Sequence, residues 1–163
     1  LWRGGWIGNI KLEPIDYIHR RGEIGIMIGS VDHWGKGYAT EAIGALTRHA
    51  FRDLGLSRLT AGCYAQNVGS RKAFERNGFQ QEGLYRHHIW CDGRFHDEVL
   101  FGLLYEDWMI TTLSDDDQMD EHLTMFEVGK NPIPPSVPPY SFVLRDWPRF
   151  FRSQGTILIP PRK

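Results

Sequence analysis

A strand-like run that passes through a glycine turn into a helix constrains this chain more than any other feature. Residues 22–30, GEIGIMIGS, are apolar enough for a strand inside a sheet. The turn WGKG contributes Gly35 and Gly37, and an apolar stripe then predicts a helix from Tyr38 to Leu54. Glycine lets a ligand approach the backbone closely, and a helix N-terminus favours an anion. The turn is therefore a candidate phosphate cradle, with an ordinary tight turn as the alternative.

Spacing argues against two other nucleotide sites at this turn. A P-loop requires Gly-Lys-Ser/Thr, whereas Gly37 is followed by Tyr38. A dinucleotide fingerprint requires a third glycine, and Thr40 stands in its place.

The remaining segments predict a mixed sheet with helices packed against it. The order of elements is β–β–α–β–α–β–β, which indicates the α/β or α+β class. Gly78 is placed to end the second helix, and Asp92-Gly93 is a strong hairpin signal. The predicted segments are strands at 5–14, 22–30 and 57–65, helices at 38–54 and 69–79, and two strands around the hairpin, the second running to Trp108.

Composition changes near residue 110, so we expect a core at 1–110 and an extension at 111–163. The extension holds an acidic run at 114–121 and five prolines within 131–140. Residues 140–159 are rich in β-formers and are expected to pack on the sheet edge beside 5–14, since folded proteins cover open edges. A disordered tail is the alternative.

The overall composition is that of a single globular domain of 163 residues with a net charge of −1. No broad basic surface indicates a nucleic-acid partner, and no apolar run approaches the ~20 residues that span a membrane. Cys63 and Cys91 lack a CxxC spacing and the start has no signal-peptide pattern, so a cytoplasmic location is expected. Leu1 in place of Met leaves a fragment or a processed form open. A homodimer is also left open.

Taken in order, the motifs EIGIMIG, WGKGYATEA and AQNVGSRKAFERNGF resemble the GNAT acetyltransferase superfamily. Within it the chain looks most like the Rim-type subgroup of ribosomal-protein N-terminal and spermidine acetyltransferases. The resemblance covers roughly residues 5–108. It implies a splayed sheet, acetyl-CoA as acetyl donor and an amine acceptor. The family's first strand and two front helices are expected to be missing, because they normally precede residue 5.

The same resemblance implies where acetyl-CoA binds. Its pyrophosphate would lie on the glycine turn, where Trp34 replaces the commoner Arg or Gln. Its pantetheine arm would pair with backbone freed between the strands at 22–30 and 57–65. Asn67 follows the second of these strands and would meet the same arm. The candidate cofactor-binding residues are Ile28, Gly29, Trp34, Gly35, Lys36, Gly37, Tyr38, Ala39, Thr40 and Asn67.

Acetyl transfer to an amine requires a base, because a free alkylamine has a pKa of about 10. Glu23 begins the strand beside the splay and is the first candidate, with a solvated strand-edge glutamate as the alternative. Asp97 and Glu98 face opposite sides of their strand, so at most one points into a cleft. Asp97 matches the acidic position of the subgroup, which makes it the second candidate base or an anchor for the amine.

The leaving thiolate needs a proton, and many GNAT enzymes supply it from a tyrosine. Phe74 occupies that position here and cannot donate, which favours Ser70. A helix N-cap is the alternative for Ser70, and Tyr85 or water are alternative donors.

Three other interpretations compete with an N-acetyltransferase that needs no metal. His87, His88, Cys91 and His96 suggest a metal, but neighbouring strand residues point to opposite faces, which argues against a shared site. A catalytically silent acetyl-CoA-binding module is the second interpretation. A transferase for oxygen acceptors or longer acyl groups is the third.

Overall fold

The computed structural model describes residues 6–115, 151–153 and 156–159, which form a mixed sheet with helices on one face. The strands lie across the sheet in the order β4-β5-β3-β2-β1-β7-β6. They are β1 Gly8–Asp16, β2 Arg21–Ile28, β3 Arg58–Tyr64, β4 Gln80–Cys91, β5 Arg94–Leu104, β6 Phe151–Ser153 and β7 Thr156–Ile159. The α-helices are α1 Tyr38–Arg52, α2 Val68–Glu75 and α3 Tyr105–Asp115, and a 3-10 helix spans Val31–His33.

The predicted mixed sheet is confirmed, because β2 and β3 run parallel while the other described neighbours run antiparallel. The turn glycines adopt the backbone expected of them. Gly78 has a φ of 82°, and the hairpin residues Asp92 and Gly93 have φ values of 51° and 72°. Left-handed conformations of this kind end a helix or close a two-residue hairpin.

The core lies between the sheet and the helices on one of its faces. The apolar stripe of α1 buries Ile43 and Leu46, and the ring of Phe74 from α2 stacks on Phe101 of β5. Alternation along β3 sends Leu59, Ala61 and Cys63 into this core. The opposite face of β3 carries Arg58, Thr60, Gly62 and Tyr64, none of which is buried.

The predicted strand through Trp108 is wrong in its last residues, where α3 begins at Tyr105. The Tyr105 N–H donates to the Ser57 carbonyl at 3.0 Å, and both Tyr105 and Trp108 pack on Phe51 of α1. These tertiary contacts turn the chain out of the sheet. α3 ends at Asp115 and so includes the first two residues of the acidic run.

A C-terminal strand covers the outer edge of β1. β7 pairs antiparallel with β1 from Gly8↔Ile159 to Lys11↔Thr156, and the side chain of Ile159 is buried. The pairing falls at the edge to which the sequence assigned the C-terminal segment. Residues 116–121 of the acidic run, the proline-rich segment and residues 140–150 lie outside the described residues. The domain division near residue 110 stays a prediction.

Candidate active site

The glycine turn at the start of α1 has the geometry of an anion cradle. Gly37 is the N-cap residue with φ 83° and ψ 0°, and Gly35 has a φ of 70°. Both values lie where a β-carbon causes strain, so the turn depends on glycine. Within the part of the chain that the structure describes, no side chain caps this helix. Because the first amides of a helix lack intrahelical acceptors and carry the positive dipole end, the turn suits a phosphate.

The side chains around the turn stabilise its position through hydrogen bonds and packing. The Trp34 indole Nε1 donates to the Ile28 carbonyl at 2.8 Å, and the Ser30 hydroxyl pairs with His33 Nδ1 at 2.7 Å. Tyr38 is buried, with its ring edge-on to His33. Of the remaining candidates, Gly29 follows the end of β2 and Lys36 lies in the turn. Ala39 and Thr40 lie in the first turn of α1.

The sheet forks between β2 and β3, as the resemblance implied. The two strands pair over three residues, ending at Glu23↔Thr60, although β2 continues to Ile28 and β3 to Tyr64. Beyond that pair, β3 supplies no ladder partner to the facing edge of β2 within the described residues. Backbone groups left in this way require another hydrogen-bonding partner. An extended chain with amide groups is such a partner.

The two acidic candidates occupy different places. Glu23 pairs with Thr60 at the last β2–β3 position before the strands separate, and it is exposed there. Asp97 uses its Oδ1 atom to accept from the His87 N–H at 2.8 Å, where β4 is irregular between Tyr85 and Ile89. The structure therefore brings Glu23 to the fork and engages Asp97 in holding the irregular stretch of β4.

Asn67 and Ser70 lie together at the start of α2. Asn67 is the N-cap residue, and its side-chain Oδ1 accepts from the Ser70 N–H at 3.0 Å. The N-cap alternative for Ser70 is therefore wrong. The spacing Asn-x-x-Ser is the sequence signal for this cap, since an N-cap side chain bonds to the N–H three residues later.

Ser70 lies near the thiol of Cys63, which is on the helical side of β3. Burial raises the pKa of Cys63, and the hydrogen bond from Ser70 partly opposes that change. Cys63 lies three residues beyond Thr60, so this proximity places the Ser70 hydroxyl beside the forked part of β3. Phe74 is 1% exposed, stacks on Phe101 and offers no donor.

Among the described residues, no three His, Cys, Asp or Glu side chains gather as metal ligands. The suspected His96 instead contacts Gln66 through Nδ1 at 2.9 Å and the Cys91 carbonyl through Nε2 at 3.2 Å. Within the same part of the chain, no helix is both long and apolar enough to cross a membrane.

Comparisons with known proteins agree with this geometry. Residues 3–80 match the acetyltransferase (GNAT) domain family. The putative ribosomal N-acetyltransferase YdaF of Bacillus subtilis is 36% identical over 108 residues, covering 66% of this chain and 58% of that protein. The spermidine N(1)-acetyltransferase of Vibrio cholerae is 32% identical over 91 residues, covering 56% and 52%.

Solved structures give the same result. The crystal structure of a probable acetyltransferase superposes with a TM-score of 0.61 at 36% identity, covering 66% of this chain and 60% of the other. A mutant form of spermidine N-acetyltransferase SpeG from Vibrio cholerae gives 0.60 at 28% identity, covering 65% and 62%. The chain spans less than two thirds of the length of these relatives. Over residues 3–80 the chain is therefore similar to the GNAT acetyltransferase superfamily, whose members use acetyl-CoA.

Proposed function

We propose that this chain transfers an acetyl group from acetyl-CoA to a primary amine. The observation that carries the proposal is the fork between β2 and β3 lying next to an uncapped glycine turn. The turn around Gly37 would hold the pyrophosphate through backbone amides. The open edge of β2 near Ile28 and Gly29 would hold the amide-containing arm, with Asn67 at the far side of the fork.

The chain also offers side chains for the two proton transfers. The Ser70 hydroxyl, beside the forked part of β3, would donate a proton to the leaving thiolate. A carboxylate near the fork would take a proton from the amine. Sequence reasoning favours Glu23 for that role and Asp97 as the second candidate. Glu23 lies exposed at the last β2–β3 pair, and Asp97 accepts from the His87 N–H.

The proposed acceptor is a protein N-terminus or a small amine, as in the Rim-type subgroup. Relatives named as a ribosomal N-acetyltransferase and as spermidine acetyltransferases support this substrate class. A cytoplasmic location accords with the two cysteines, which are both free thiols. A homodimer stays a prediction that size-exclusion chromatography with light scattering would test.

The test combines binding with turnover. Acetyl-CoA should raise the melting temperature of the full chain, because a ligand of the native state stabilises it. Free thiol should then appear when spermidine or a short peptide with a free N-terminus is added. Gly37→Val should abolish the thermal shift. Gly55→Val is the matched control, because Gly55 also has a positive φ, 63°, but lies after α1, away from the turn.

Two results would contradict the proposal. An unchanged thermal shift in Gly37→Val would place the pyrophosphate elsewhere. A wild-type chain that binds acetyl-CoA but releases thiol with neither acceptor would argue against transfer to these amines.

A further inference from the structure

The side chain of Glu98 reaches from β5 across β3 toward the fork. Its carboxylate lies over Gly62, so that a β-carbon added at Gly62 would collide with Glu98 Oε1. Gly62 is two residues beyond Thr60, in the part of β3 that β2 no longer pairs. A glycine at this position thus lets a carboxylate from the next strand reach the opening of the sheet.

Glu98 points to the face of the sheet that the described helices leave uncovered. Its neighbour Val99 is buried in the core beneath the helices, and alternation along β5 turns Glu98 the other way. Ser70 lies near Cys63, whose thiol is on the helical side of β3. The carboxylate and the hydroxyl therefore lie on opposite faces of the same forked strand.

The surroundings of Glu98 suit an ammonium group. The Glu98 side chain is only 22% exposed, and its cross-strand partners are Tyr64 of β3 and Tyr85 of β4. Tyrosine rings attract a cation, and a shielded carboxylate attracts it more strongly than a solvated one. His88 Nε2 lies 3.5 Å from Glu98 Oε2, within reach of an ion pair when the imidazole is protonated.

Glu82 provides an internal comparison on the same sheet. Its carboxylate lies over Gly102 as that of Glu98 lies over Gly62, but it pairs with the Arg58 guanidinium. Gly102 is on β5, which pairs with β3 and β4 on its two sides, away from the fork. Of these two glycine-covering carboxylates, Glu98 is the one beside the open edge.

We infer that Glu98, in place of Glu23 or Asp97, is the catalytic residue that receives the acceptor ammonium and takes its proton. This inference rests on the proposed acetyl transfer. One N–H proton moves to the Glu98 carboxylate, and the freed nitrogen lone pair forms a bond to the thioester carbonyl carbon. The carbon–sulfur bond then breaks as the carbonyl re-forms, and the second nitrogen proton passes through the Ser70 hydroxyl to the departing sulfur, so that coenzyme A leaves as the thiol. Glu98 returns its proton to solvent.

The test uses the full chain with acetyl-CoA and spermidine, or a peptide with a free N-terminus. Glu98→Gln should lower kcat at neutral pH by about 100-fold, the effect of losing a general base, while the acetyl-CoA affinity is unchanged. The deficit should shrink as the pH approaches the amine pKa of about 10, because solvent then supplies the free amine. The matched Glu82→Gln should retain wild-type kcat.

A second pair of variants moves the carboxylate without replacing it. Gly62→Ala should displace Glu98 and lower kcat, whereas Gly102→Ala should displace Glu82 and leave kcat unchanged when both proteins melt near the wild-type temperature. The other titratable and charged groups on this face include Lys11 on β1, Glu23 on β2, Arg58 and Tyr64 on β3, Glu82, Tyr85 and His88 on β4, and His96 on β5.

The outcomes separate the two proposals. A Glu98→Gln variant as active as the wild type would overturn the role of Glu98 and leave the acetyl transfer intact. If Glu23→Gln loses the pH-dependent activity and Glu98→Gln keeps it, the role of Glu98 is likewise overturned and the acetyl transfer stays intact. A wild-type chain that binds acetyl-CoA yet acetylates neither acceptor would overturn both proposals.

Discussion

The Trp34 indole Nε1 donates a 2.8 Å hydrogen bond to the carbonyl oxygen of Ile28. This bond joins the glycine turn to the end of β2, which are the two parts of the proposed acetyl-CoA site. The resemblance marks this position as one where Arg or Gln is commoner. With the indole 61% exposed, the residue positions the turn through one directed bond rather than through core packing.

We expect Trp34→Phe to weaken acetyl-CoA binding while changing the melting temperature of the free protein little. Losing one hydrogen bond of about 0.5–1.5 kcal/mol would loosen the turn and weaken binding up to about tenfold. Isothermal titration calorimetry measures the affinity. Trp90→Phe is the matched control, since Trp90 is 62% exposed in the β4–β5 hairpin. Equal affinities of the two variants would show that the bond does not position the turn.

The N-cap of α2 leads to a second expectation. Asn67→Ala should destabilise the protein by about 1 kcal/mol, because the Ser70 N–H loses its side-chain acceptor. Asn67→Asp keeps an acceptor oxygen and adds a negative charge at the positive end of the helix, so its stability should match or exceed that of the wild type. Urea denaturation measures both. Equal losses in the two variants would argue against the cap.

The sequence predicted the elements whose signals are local. The stripe of α1, the turn at Gly37 and the Asp92-Gly93 hairpin depend on periodicity or on left-handed backbone, which neighbouring residues reveal. The start of α3 depends instead on Tyr105 contacting Ser57 and Phe51, which are distant in sequence. No pattern around Tyr105 encodes those contacts.

The candidate site, like the fold, was predictable only where its signals are local in sequence. Strand alternation placed Asp97 and Glu98 on opposite faces but did not show which face meets the fork. That answer depends on how β5 registers with β3 and on the missing side chain at Gly62, which lies beside Glu98, 36 residues away in sequence. The irregular stretch of β4 that engages Asp97 likewise appears only once β4 and β5 are paired.

The two thiols should differ in reactivity. Burial raises the pKa of Cys63, so less of it is thiolate at a given pH, and the thiolate is the form that iodoacetamide attacks. Cys91 is less buried and should be alkylated first, as peptide mapping by mass spectrometry would show. Alkylation of Cys63 as fast as that of Cys91 would contradict the buried environment of Cys63.

Ser70→Ala should slow alkylation of Cys63 further. The hydrogen bond from Ser70 lowers the pKa of Cys63, so removing the hydroxyl raises that pKa and leaves less thiolate. Ser57→Ala is the control, because the Ser57 hydroxyl bonds to the Arg20 carbonyl instead. Faster alkylation in Ser70→Ala, with no change in the control, would show that the hydroxyl shields the thiol rather than lowering its pKa.

The packing of α1 against α2 depends on Gly44 and Asn77. The Asn77 side chain donates to the carbonyls of Thr40 and Ala73 at 3.0 and 2.8 Å. A β-carbon at Gly44 would fall 2.6 Å from Asn77 Oδ1, so the glycine makes room for this side chain. Gly44→Ala should therefore destabilise the protein by about 1–3 kcal/mol, the usual cost of overpacking, less the gain in helix propensity.

The sign should reverse when the crowding is removed. In the Asn77→Ala background a methyl group at Gly44 meets no Oδ1 atom, so Gly44→Ala should stabilise the protein by up to about 1 kcal/mol through helix propensity. A double-mutant cycle measured by urea denaturation tests this directly. If Gly44→Ala has the same effect in both backgrounds, Asn77 is not the reason for a glycine at position 44.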